Sequence, residues 1–149
     1  MSLEKDINQY KFRNQHQKSV INIIYTYNWV LEKIKKILAE EDLTPQQFNM
    51  LRILRGSFPT PLSTLQIRER MLDKMSDTSR IVDRLILKGL VQKSTSAADK
   101  RLVDVLITDA GINVLSKLDE RNDAMDAVIN NLTEDEMSQL NELLDKLRS

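Results

Sequence analysis

The sequence predicts a mainly α-helical chain with one small β-hairpin. The expected fold class is α+β: a winged helix-turn-helix core with dimerisation helices at both ends. Three observations predict it. Only three glycines and three prolines punctuate 149 residues, and 30% of the chain is charged. That composition favours long helices over a sandwich or barrel. Three capping boxes mark helix starts. Residues 63–111 then read helix, helix, strand, charged turn, strand, helix start, which is the order of a winged helix-turn-helix.

Each element follows from local chemistry. A long first helix is expected over about residues 6–40, because Val20, Ile23, Ile24, Tyr27, Leu31, Ile34 and Leu38 recur at three- and four-residue steps. Thr44 is the N-cap of a second helix, with Pro45 at its first position, Gln47 closing a capping box and Leu43/Phe48 as a hydrophobic staple. This helix is expected to end at Gly56. Ser63, Gln66 and the Leu62/Ile67 pair repeat the device for a third helix, ending near Leu72. A fourth helix is expected over about residues 75–88, stopping at Gly89 in a left-handed cap. Leu90 to Lys93 reads as a strand, and Leu102 to Ile107, β-branched and half alternating, as its partner. Ser94 to Lys100 then forms the hairpin loop. A fifth helix opens after Thr108 and runs to about Asn130. Leu132-Thr133 with Glu136 and Met137 caps a sixth, from Glu134 to Arg148.

One domain, 1–149, is expected, with 43–108 as the core and 1–42 and 109–149 as dimerisation helices. The apolar stripe of the first helix is longer than a small core can cover. Ile112, Leu115, Leu118, Met125 and Val128, then Met137, Leu140, Leu143, Leu144 and Leu147, extend the same problem to the other end. A second copy of the chain would cover these faces; an intramolecular bundle is the alternative.

Several function classes are excluded or disfavoured. There is no cysteine, so disulfides, thiolate metal sites and thiol redox sensing are out. No run of about 18 apolar residues suggests a membrane span. Met1 to Asp6 lacks the layout of a signal peptide, so a cytoplasmic protein is the default expectation. His16 is the single histidine, and no metal site is expected around it. No phosphate loop or nucleophile–base set is present, so neither an enzyme nor a cofactor is expected.

The net charge of zero hides a partition. Residues 1–51 carry +1, residues 52–101 carry +6, and residues 102–149 carry −7. A basic middle is the footprint of a localised nucleic-acid surface, although a dipolar surface without that purpose has the same signature. On the fourth helix, Ser76, Arg80 and Arg84 lie at four-residue steps, flanked by Asp77, Ser79 and Asp83, while Thr78, Ile81, Val82 and Leu85 face the core. Arginines and serines on one face suit a major groove or its phosphates. Asp83 is placed to hold Arg80 or Arg84. Arg101 follows a flexible turn, within reach of a minor groove or phosphates, and Asp99 is placed to brace it. Lys93 and Lys100 add charge to the same ribbon. Ser63 and Thr64, at a helix start, are further candidates for a phosphate, with simple capping the alternative for Ser63. For the whole set the bland alternative is a solvated helix face and a plain charged hairpin tip.

These residues bring a family into view. Asp99-x-Arg101-x-x-x-Val105-x-Ile107-Thr108-x-x-Gly111 resembles the wing signature of the MarR family of winged-helix transcriptional regulators, with Ile107 in place of the usual Leu. Ser79 to Leu85 with Lys88-Gly89-Leu90-Val91 resembles that family's recognition helix and first wing strand. The stretch Met71 to Met75 departs from the common small or polar turn before that helix. The resemblance implies a homodimeric repressor on double-stranded DNA at a pseudo-palindromic operator, with Arg101 in a minor groove. It also implies a small, often aromatic effector, for which Tyr25, Tyr27, Trp29, Phe48 and Phe58 are candidate lining residues and core packing the alternative. A winged-helix module that binds proteins and never meets DNA is the alternative function.

Overall fold

A computed structural model describes residues 1–149. In chain order the elements are α1 (Leu3–Asp6), α2 (Gln15–Leu38), α3 (Pro45–Ser57), β1 (Leu62–Ser63), α4 (Thr64–Arg70), α5 (Thr78–Leu87), β2 (Val91–Thr95), β3 (Val103–Ile107), α6 (Asp109–Asp119), α7 (Asn122–Asp126) and α8 (Glu134–Leu147). Short 3-10 turns follow α2 and α7. The strands form one antiparallel sheet in the order β1-β3-β2, with Leu62 opposite Val105 and Lys93 also opposite Val105.

All three expected capping boxes form. The Thr44, Ser63 and Thr133 hydroxyls accept from the backbone N–H groups of Gln47, Gln66 and Glu136, and each partner side chain accepts the cap residue's own N–H. Gly89 takes φ +72°, the left-handed cap that ends α5 and launches β2. The core is one cluster under the sheet, built from Leu38, Met50, Leu51 and Leu54, with Ile67, Met71, Val82, Leu85, Val105 and Ile107. It reaches Leu115 and Leu118 on α6, so the winged module and the start of the C-terminal arm share a single apolar interior. No helix is long and apolar enough to cross a membrane.

The structure corrects several boundaries. The first helix does not run from residue 6. Asn8 sits at φ +52°, which ends α1, and Asn14 starts α2 by accepting the Gln17 N–H. The third helix stops at Arg70 because Met71 turns extended to enter the core, 1% exposed. The fifth helix is broken: Arg121 leaves helical geometry (φ −103°, ψ 13°), and its guanidinium reaches Glu40. The two-residue strand β1 was not expected, since its only support is pairing with β3 some forty residues later. Finally, α5 begins at Thr78 and not near residue 75; Asp77 is its N-cap and accepts the Arg80 N–H at 3.1 Å.

Large apolar side chains remain uncovered at both ends. Val20, Ile23 and Ile24 on α2 are exposed, as are Leu140, Leu143 and Leu147 on α8.

Candidate nucleic-acid interface

Helix α5 presents two faces, as its periodicity demands. Thr78, Ile81, Val82 and Leu85 are buried, while Ser79, Arg80, Asp83 and Arg84 are exposed on the opposite side. Neither Arg80 nor Arg84 forms an ion pair, so both guanidiniums are available to a ligand. Asp83 does not hold either arginine. Its Oδ1 accepts from Lys93 Nζ at 3.0 Å, which ties the outer face of α5 to strand β2. The pairing follows from the fold: β2 returns beside α5 immediately after the Gly89 turn, and it brings Lys93 within reach.

Ser76 does not share that face. It lies in the turn before α5, half-buried, with its Oγ donating to the Asp73 carbonyl at 2.7 Å. Asp77 is exposed, but its carboxylate is engaged at the helix cap. Ser63 is 7% exposed and its hydroxyl is committed to the Gln66 N–H, so its side chain is turned inward. Thr64 is half-buried at the first position of α4.

The wing is a tight construction. Residues 96–102 link β2 to β3. Asp99 Oδ1 accepts from the Arg101 backbone N–H at 3.0 Å and from Arg101 Nε at 3.1 Å, and Oδ2 accepts from the terminal guanidinium nitrogen at 3.0 Å. The Arg101 side chain is nevertheless 89% exposed. The side-chain and backbone hydrogen bonds from Arg101 hold the Asp99 carboxyl below its ordinary pKa, and the same side-chain bonds raise that of Arg101. Both groups are therefore charged at neutral pH, and the clamp aims a cation outward from the hairpin. Lys100 is exposed beside it.

Sequence reasoning missed the residues that support the turn into α5. Asn49 Oδ1 on α3 accepts the Leu72 N–H at 2.9 Å, and Gln46 Nε2 donates to Asp73 Oδ2 at 3.0 Å. Asp73 Oδ1 in turn accepts the Met75 N–H at 2.9 Å. Asp73 followed by Lys-Met-Ser carried a turn signal. The α3 partners, more than twenty residues away, carried none.

A cavity of about 540 Å³ lies between α2, α3 and the α6–α7 junction. Tyr27, Leu31, Phe48, Leu118 and Met125 supply its apolar wall. Arg52 stacks over the Phe48 ring at 5.6 Å, and Arg55 makes a two-pronged pair with Asp119 at 2.7 and 3.2 Å. A second cavity, about 880 Å³, shares Tyr27, Leu31, Pro45, Asn49 and Leu72 with the first. The aromatic residues expected to line one cavity are divided: Tyr27 and Phe48 line the first cavity, Tyr25 and Trp29 line a separate, smaller one with Met1 to Leu3, and Phe58 is exposed at the end of α3.

Comparison with known proteins adds to this geometry. Residues 41–102 match the model of the MarR family. The chain is 33% identical over 113 residues to the HTH-type transcriptional repressor MdtR of Bacillus subtilis, covering 74% of this chain and 70% of that protein. It is 30% identical to a MarR transcription factor from Planctomyces limnophilus, whose crystal structure it matches with a TM-score of 0.68 over 91% of this chain and 98% of that one. A mutant MarR from Escherichia coli, solved in complex with operator DNA, shares the fold with a TM-score of 0.81 at 23% identity, over 93% of this chain and 99% of that one.

Proposed function

The chain belongs to the MarR family of DNA-binding transcriptional regulators, and from that premise we propose that it is a homodimeric repressor, acting in the cytoplasm on a pseudo-palindromic operator and modulated by a small aromatic ligand. One observation carries the reading. An exposed arginine, Arg101, is pre-oriented by Asp99 on a hairpin that packs beside a helix offering two unpaired arginines, Arg80 and Arg84. In this reading α5 enters the major groove, where Arg80, Arg84 and Ser79 meet base edges or phosphates, and Arg101 enters the adjacent minor groove. Lys93 and Lys100 add phosphate contacts.

The dimer follows from the uncovered ends. Val20, Ile23 and Ile24 on α2 and Leu140, Leu143 and Leu147 on α8 are an apolar surface that a second copy would bury. The two recognition helices must then stand about 34 Å apart to meet successive major grooves. The cavity between α2, α3 and the α6–α7 junction lies where the dimerisation arms meet the DNA-binding core. An occupant there would change the angle between the two parts, and with it that spacing.

The test is fluorescence anisotropy on a duplex recovered by randomised-site selection, at two salt concentrations, with sedimentation to count protomers. Wild type is expected to bind as one dimer per site with a steep loss at higher salt, and Arg84→Ala and Arg101→Ala each to weaken binding by tenfold or more, about 1.4 kcal/mol. Weak binding that ignores sequence, salt and both substitutions would sink the proposal and return the winged-helix protein-interaction module to first place.

A further inference from the structure

We propose that Ser96 is the positioning residue of the wing: its hydroxyl, enclosed in the hairpin loop, fixes Asp99 and thereby the Asp99–Arg101 clamp that meets DNA. The inference rests on the reading that Arg101 contacts DNA.

The Arg101 side chain is 89% exposed, so packing does not order it. A free arginine of this length samples many rotamers, and fixing one on binding costs affinity. Asp99 is its single anchor, holding the backbone N–H, Nε and the terminal guanidinium nitrogen on two oxygens. A carboxylate can aim a guanidinium only if its own backbone is held. The neighbours Ala97 and Ala98 are exposed and have no polar side chain with which to hold it.

Ser96 does hold it. It is 7% exposed, the one buried residue of the loop. Its Oγ accepts from the Ala98 N–H at 3.3 Å and from the Asp99 N–H at 3.4 Å. Its own N–H donates to the Leu102 carbonyl at 3.0 Å, and the Leu102 N–H donates to the Asp99 carbonyl at 2.9 Å. The hydroxyl therefore stands at the centre of a closed loop whose only outward product is the direction of Arg101. Ser94 and Thr95, which precede it, are exposed residues of β2 and make no such contact. Ser96 itself faces inward, so it acts through Arg101 and not on the nucleic acid.

The test is a double-mutant cycle on the duplex recovered by randomised-site selection, with wild type, Ser96→Ala, Arg101→Ala and the double variant, and thermal unfolding of each. Ser96→Ala is expected to weaken binding about three- to tenfold by returning rotamer freedom to Arg101. The double variant is expected to bind like Arg101→Ala alone, because a positioning residue has nothing left to position. Ser96→Thr, which keeps the acceptor, is expected to bind within about twofold of wild type. The proposal is overturned if Ser96→Ala binds as wild type does, or if its loss multiplies onto that of Arg101→Ala, as a general weakening of the fold would. If Arg101→Ala itself binds like wild type, the wing reading beneath the proposal has failed, and that result is distinct from a failure at Ser96 alone.

Discussion

Two glycines on helices make opposite predictions under the same substitution. Gly111 sits in the first turn of α6, and a Cβ built there meets the Leu90 carbonyl oxygen at 2.4 Å and Ile107 Cγ1 at 2.7 Å. The first contact is about 1 Å inside ordinary van der Waals range, and its partner is backbone. That carbonyl cannot swing away freely, since it accepts the Thr108 N–H at 3.0 Å and follows the left-handed Gly89. The helix must therefore lift from the exit of α5 and the start of β2. Overpacking of this kind costs about 3 kcal/mol, at the upper end of the usual range. Alanine recovers about 1 kcal/mol of helix propensity. The net loss is about 2 kcal/mol, a fall of roughly 4–8 °C in Tm for a chain of this size. Gly56, in α3, has nothing within 4 Å of an added methyl and no positive φ. Gly56→Ala is expected to raise Tm by about 1–4 °C through the same propensity. Differential scanning calorimetry of the two variants decides the matter. Equal stability of the pair would refute the reasoning, because propensity alone predicts equality and only the Leu90 contact separates them.

Three further outcomes follow from named contacts. Asp83→Asn removes a negative charge from the outer face of α5 and releases Lys93, so it is expected to tighten DNA binding and to steepen its salt dependence by up to about one unit of log–log slope per protomer; weaker binding in an anisotropy series across salt would mean that Asp83 reads a base or that its pairing with Lys93 is required. Asp99, held below its ordinary pKa by Arg101, contributes to stability above the ordinary carboxylate range and loses that contribution as pH falls through its lowered value; its carboxyl carbon followed by NMR is expected to titrate below the usual value and to return to it in Arg101→Ala, and an unchanged midpoint would disprove the clamp. Thr78 is buried at the first position of α5 with no partner for its hydroxyl, so Thr78→Val, nearly equal in shape, is expected to stabilise by about 1 kcal/mol in urea unfolding; destabilisation would show that the hydroxyl is satisfied.

What the sequence made legible was local chemistry. The capping boxes at Thr44, Ser63 and Thr133, the left-handed Gly89 and the Asp99–Arg101 pair each depend on residues close along the chain, and each formed. What it concealed depends on partners far along the chain. The break after α6 is held by Arg121 on Glu40 and by Arg55 on Asp119, pairs separated by 81 and 64 residues. Strand β1 exists through β3 alone. The start of α5 shows the two kinds of signal in competition. Four-residue spacing placed Ser76 on the face with Arg80 and Arg84, but Asp77 is the better cap, and Asp73 with Gln46 and Asn49 of α3 folds the preceding residues into a turn. Periodicity identified the helix, and cap chemistry with a tertiary anchor set its first residue. The partner of Asp83 was hidden for the same reason: Lys93 becomes its neighbour only once β2 has turned back along α5.

The charge partition takes on a different meaning once these pairs are known. The middle segment carries eleven lysines and arginines, which suggests a broad cationic surface. The fold withdraws several of them. Arg55 is bound to Asp119 and Lys88 to Asp42. Lys93 is half neutralised by Asp83. Arg80 and Arg84 remain without a carboxylate, and Arg101 has one that orients it outward and leaves it exposed. Non-specific attraction to a polyanion grows with the number of free cations, whereas base readout depends on a few that are held in place. Arg52, Arg68, Arg70, Lys74 and Lys100 are likewise exposed and in no ion pair, so the segment keeps a broad set of free cations for the first kind of contact beside the three arginines of α5 and the hairpin. The acidic C-terminal arm works in the opposite direction, since its excess negative charge repels a polyanion and sets that end of the chain apart from the basic middle.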